Sequence, residues 1–189
     1  MNKYTDLRGR YTPEHPKIVF VLESPPLSGK YFYDPDGCTT EPLFSGMMRD
    51  VMELSPKTKD HGLMEFTARD YLLLDATYTP VNIPGNKSAR NKASAKQITK
   101  DFPLLLGELR KHTYPDTQLV FVMANVRKLL DKKPKAEGFS VLNDKLLQVP
   151  RERITTRRLT HGVIPFPGNG WPIEFRATVR HVLGLQLIE

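Results

Sequence analysis

Cysteine is almost missing from this chain. Cys38 is the single one in 189 residues, so no internal disulfide can form, and it reads as a loop or packing thiol. Cys and His never come together at zinc-binding spacing, and no metal or other cofactor is expected. Acids are in short supply as well, 21 Asp and Glu against 28 Lys and Arg, which leaves a net charge of +7. No apolar run approaches the roughly 20 residues needed to cross a bilayer, so no membrane association is expected. The P-loop pattern Gly-x-x-x-x-Gly-Lys-Ser/Thr is absent, which argues against an ordinary P-loop NTPase. Internal repeats and low-complexity tracts are absent too. The first fifteen residues carry Lys3, Arg8 and Arg10 with no apolar stretch behind them, unlike a signal peptide. The expected location is the cytoplasm, at the nucleoid or in a nucleus where there is one. Nothing in the sequence demands an obligate protein partner.

What is present suits a single folded domain over residues 1–189, with 1–16 as an N-terminal extension. Four short apolar runs punctuate it: Lys17–Leu22, Tyr71–Asp75, Gln118–Met123 and a weaker one, Val163–Phe166. Continuous apolar runs of this length suit strands covered on both faces, as in a parallel sheet. Helical spacing lies between them. Ser45 can cap a helix through Met47, Val51 and Leu54, and residues 95–112 place Ile98, Phe102, Leu105 and Leu109 on one face. Further helices are expected at 125–130, at 141–147 and at 174–183. The alternation predicts an α/β fold, a three-layer α/β/α sandwich around a short, mainly parallel four-stranded sheet.

The basic excess is not spread evenly. Lys87, Arg90, Lys92, Lys96 and Lys100 fall in one segment without an acid, and Arg151, Arg153, Arg157 and Arg158 in another diluted only by Glu152. Such segments attract polyanions through long-range potential and counterion release, which points to nucleic acid, single- or double-stranded.

In open α/β sheets ligands bind beyond the carboxyl ends of the strands. That rule selects Leu22-Glu23-Ser24-Pro25-Pro26, the segment from Asp75, the segment from Ala124, and Phe166-Pro-Gly168-Asn169-Gly170-Trp171. Together with Phe44-Ser-Gly46, their order resembles the uracil-DNA glycosylase superfamily over roughly residues 17–184. Leu22–Pro26 is similar to its first motif, Phe44 to the aromatic that stacks on the base, and Leu72-Leu-Leu-Asp75 to the base-recognition strand. Phe166–Gly170 falls where the family's late His-Pro-Ser motif belongs. The resemblance implies catalytic roles for Glu23 and Ser24, and base binding by Phe44, Asp75, Phe166 and Asn169. It implies DNA contacts at Gly168 and Gly170, joined by Lys87, Arg90, Lys92 and Lys96. Departures are plain: Leu22 and Pro26 replace motif residues, Ser24 stands where many members have the water-activating Asp or Asn, and Asp75 replaces the base-reading Asn. Phe166 replaces the late His, and Gly168 its serine; His161 is five residues too early.

Cleaving a base from deoxyribose passes through an oxocarbenium-like sugar and leaves the base as an anion. The site must orient water, hold negative charge near the sugar and donate to the departing oxygen. Glu23 can do the first two, whereas Phe166 cannot do the third. An ionised Asp75 offers acceptors only, suiting an amino group; a protonated one also donates. Trp171 suits a wedge into the base stack or a hydrophobic anchor for the last helix. The leading expectation is a DNA-binding, uracil-DNA glycosylase-like hydrolase acting on a damaged or deaminated base. The alternatives are a catalytically inactive DNA- or nucleotide-binding module on the same fold, or an unrelated α/β enzyme on nucleotides using Glu23 and Asp75.

Overall fold

Three of the apolar runs form adjacent parallel strands: β1 (Ile18–Leu22), β2 (Tyr71–Asp75) and β3 (Gln118–Phe121). The structure is a computed structural model that describes residues 3–81, 86–148, 162–168 and 170–186, apart from the side chain of Lys87. The basic segment Arg151–Arg158, His161 and Asn169 lie outside the described residues. The sheet order is β2-β1-β3-β4, all parallel. Leu22 stands opposite Asp75, so the first two strands end level with one another.

The fourth strand is not the expected Val163–Phe166. It is a two-residue edge, β4 (Ser140–Val141), paired with Gln118 and Leu119. Of the expected run only Ile164 joins the sheet, in a parallel bridge to Val122. Pro165 and Pro167 follow it, and a proline cannot donate to a ladder, so pairing stops there. Between the two fragments Asn143, fully buried, imitates a strand peptide. Its Oδ1 accepts from Phe121 N at 2.7 Å, and its Nδ2 donates to the carbonyls of Phe121 and Gly162, both at 2.9 Å.

The helices are α1 (Lys3–Gly9), α2 (Pro42–Gly46), α3 (Lys59–Ala68), α4 (Lys87–His112), α5 (Ala124–Leu130), α6 (Lys132–Ala136) and α7 (Pro172–Leu183). A π-helical turn, Met47–Met52, continues α2, and a 3₁₀ stretch covers Leu142–Gln148. β1 crosses to β2 in one direction and β2 to β3 in the other. Right-handed crossovers therefore put α2–α3 on one face of the sheet and α4 on the opposite one. α7 packs on α2 and the π-helical turn, while α5 packs on α4. The result is an α/β fold with helices above and below the sheet. No described helix is long and apolar enough to cross a membrane.

Two local expectations are corrected. The helix carrying Phe44 starts at Pro42, in the first helical position where its fixed φ suits a helix, so Ser45 lies inside it rather than capping it. The helix expected from residue 95 begins at Lys87, where Asn86 Oδ1 accepts from Ala89 N at 2.8 Å. Residues 3–11, within the N-terminal extension, pack onto the rest of the fold. Tyr4, Arg8 and Tyr11 are buried, and the Tyr4 ring lies 4.8 Å from that of Tyr31.

Candidate active site

The strand order places a topological switch point between β1 and β3, where the chain leaves the sheet in opposite directions and opens a crevice. Glu23 follows β1 directly, and Met123, Ala124 and Asn125 follow β3. Across this crevice Asn125 Nδ2 donates to Glu23 Oε1 at 3.1 Å. Ser94, buried on α4, donates to the same oxygen at 2.5 Å. No described residue hydrogen-bonds Oε2. Met123 holds φ at +79°, a backbone conformation that strains any residue with a Cβ. Strain of this kind, worth about 1–3 kcal/mol, persists where the surroundings enforce it and clusters at functional sites.

Asp75 comes into the same crevice from β2. Beyond the strands Ala76 N donates to Leu22 O at 2.8 Å and Thr77 N to Glu23 O at 3.2 Å. The turns bearing the two carboxylates are thus joined backbone to backbone. Asp75 is 4% exposed, and burial pushes its pKa up to about 7, against the opposing pull of the Arg8 guanidinium and the nearby Tyr31 hydroxyl. Burial dominates because taking the charged form out of water costs more than Arg8 returns, and Arg8 is already ion-paired with Glu108. The Tyr31 hydroxyl is close enough to Asp75 to act on it, yet the two do not meet hydrogen-bonding geometry. Among the described residues neither Tyr31 Oη nor Asp75 Oδ2, both buried, has a hydrogen-bond partner.

Glu23, Ser24, Phe44, Asp75, Phe166 and Gly168 all line one cleft of about 940 Å3, together with Arg90 and Trp171. Their parts differ. The Ser24 hydroxyl donates to Pro25 O at 3.2 Å and accepts from Val81 N at 3.3 Å, so it fastens two loops and has no proton to offer water. Phe44 is 1% exposed; Phe32 and Lys59 Nζ cover its ring, at 5.9 Å and 5.4 Å from its centre. The expected open stacking face is therefore not at Phe44, which forms a closed wall. Phe166 is only partly buried, and Gly168 lets its ring lie close: a Cβ there would come within 2.9 Å of Phe166 Cε1 and 3.1 Å of Pro42 Cβ. Gly170, with φ +84°, does not line the cleft.

The basic run on α4 divides. Arg90 is one turn before Ser94 and reaches the cleft, whereas Lys92 and Lys96 stand about 160° round the helix from Ser94, facing away. Among the described side chains of that run, Arg90 lines the cleft and Lys92 and Lys96 do not. Tyr31, Asn91, Ser94 and Asn125 were missed by sequence reasoning. Only Asn125 had a signal, its place just after a strand. No family model, curated protein or solved structure matches this chain, so its function is argued from its own residues.

Proposed function

We propose that this chain binds DNA and, like a uracil-DNA glycosylase, hydrolyses the N-glycosidic bond of a damaged or deaminated base. The observation that supports it most is the pair of carboxylates in one cleft at the switch point, one oriented by neutral donors and the other buried to the edge of neutrality. Glu23, with Oε1 held by Ser94 and Asn125, turns Oε2 to a water and accepts its proton as the glycosidic bond breaks. Its negative charge also stabilises the developing oxocarbenium sugar. Asp75 reads the edge of the base, and Phe166 flanks its face. An extruded base costs a few kcal/mol to unstack, and an apolar wall with one polar end recovers it.

The test is a panel of oligonucleotides, each with one uracil, hypoxanthine, xanthine or mismatch, assayed for alkali-sensitive abasic sites. Strand breaks at one or more of these substrates are expected. Binding without any break supports the inactive module instead, the reading favoured by Phe166, which brings no donor to the departing oxygen.

Phosphate binding has its own test. Arg90→Glu lowers affinity for every DNA sequence alike and reduces the salt dependence by about one charge, because phosphate contacts carry no base information. Lys92→Glu, on the far side of α4, has a clearly smaller effect. Equal losses in the two variants, measured by fluorescence anisotropy across a salt series, would refute an Arg90-centred footprint.

A further inference from the structure

An ionised Asp75 lacks the donor that a carbonyl-bearing base requires, and the cleft holds one that the sequence did not reveal. Tyr31 is 2% exposed and lines the cleft beside Asp75. Its hydroxyl oxygen and Asp75 Oδ2 are each buried with no hydrogen-bond partner among the described residues. A buried polar group left unpaired costs about 1–3 kcal/mol, and two side by side in a ligand-sized cleft mark a polar edge that is completed by what binds there.

The tyrosine is fixed in place. Its N donates to Gly29 O at 2.8 Å, and its carbonyl accepts from Lys59 Nζ at 2.7 Å. Lys59 is itself anchored on Glu41 Oε2 at 2.9 Å. The ring packs against Tyr4 at 4.8 Å and Tyr33 at 5.9 Å. A side chain clamped on both its backbone and its ring presents its hydroxyl at low entropic cost. Burial holds that hydroxyl protonated far above the ordinary tyrosine range, so it is an O–H donor at any physiological pH.

We propose that Tyr31 is a specificity-determining residue: its hydroxyl donates to a carbonyl oxygen of the bound base while Asp75 accepts from the adjacent ring N–H. The pair then reads a lactam edge, –C(=O)–NH–, as one asparagine amide would, with donor and acceptor on two side chains. The inference rests on the nucleobase reading of this cleft. It selects bases with a keto group next to a ring N–H over those with an amino group next to a bare ring nitrogen.

The experiment measures binding of the uracil and cytosine deoxynucleosides, in which N1 is blocked as it is in DNA, to the whole chain by calorimetry or ligand-observed NMR, beside the excision assay. Tyr31→Phe is expected to weaken uracil binding about tenfold, the worth of one hydrogen bond, and cytosine binding less than about twofold. Adding Asp75→Asn to Tyr31→Phe returns a donor to the site and brings uracil affinity back to within about threefold of the unaltered protein. A variant damaged only in its packing loses both bases and is not rescued. If the unaltered protein takes uracil and Tyr31→Phe takes it equally well, or the double variant stays weak, the lactam pair is wrong while the glycosylase reading stands. If the unaltered protein neither binds nor releases uracil or another keto base, both fall.

Discussion

Under the proposed function, Glu23→Gln is expected to lower base excision by a factor on the order of 10²–10⁴, the usual worth of a positioned general base, and to leave DNA affinity within about twofold. The substitution is close to isosteric. Asn125 can still donate to Oε1, and the Ser94 hydroxyl can turn, so the hydrogen bonds across the switch point survive. What disappears is the proton acceptor and the negative charge facing the sugar, both used in the transition state and neither in binding phosphates. Single-turnover cleavage of whichever panel substrate the unaltered protein attacks, set beside anisotropy on the same DNA, separates the two effects. Activity above a tenth of the original would make Glu23 a structural bridge between β1 and β3, and excision would need another base. Among the described residues no second candidate of equal quality lines the cleft: Asp75 is the carboxylate proposed to read the base, and Glu41 is paired with Lys59.

The three central strands were legible because a parallel sheet covered on both faces writes its core as unbroken apolar runs. β1, β2 and β3 end within two residues of where those runs end. The edge was not legible, since it is held by one side-chain amide and cut by prolines, and neither leaves a periodic pattern. α1 was missed for a related reason. Its inward residues are Tyr4 and Arg8, and a buried arginine paired with Glu108 and Tyr78 reads as surface from sequence alone. α3 was hidden by Gly62, a weak helix former that is required there: a Cβ would lie 2.6 Å from Phe44 Cζ and 2.9 Å from Met48 Sδ. The site shows the same division. Glu23 and Asp75 could be picked out because they stand at strand ends, where topology concentrates ligands. Ser94 and Tyr31 could not, as each reaches the cleft only through the packing of an element whose sequence shows no reason for it.

Asp75→Asn stabilises the protein at pH 8 by an amount on the order of 4 kcal/mol and changes little at pH 4. The sign follows from the direction of the displacement. Burial raises the folded-state pKa from 3.8 to about 7, so between these values the folded chain keeps a proton that the unfolded chain has lost. Stability must therefore fall as pH rises from about 4 to about 7, and stay level above it. An asparagine has no charge to bury, and its stability lacks this slope. Burial holds the His112 pKa below its ordinary value, so its contribution runs the other way. Because it is present in both proteins, the difference between them isolates Asp75. Urea unfolding at half-unit steps from pH 4 to pH 8 gives the two curves, with unchanged m-values as the check that the unfolded states are comparable. The gap between them should open steadily through pH 5 and 6 and close to a constant above 7.5. A gap that is absent, or that favours Asp75 at high pH, would mean that Arg8 holds the carboxylate as a true ion pair. The cleft would then present a permanent negative charge, an acceptor only, and the donor to a keto base would have to come from Tyr31 alone.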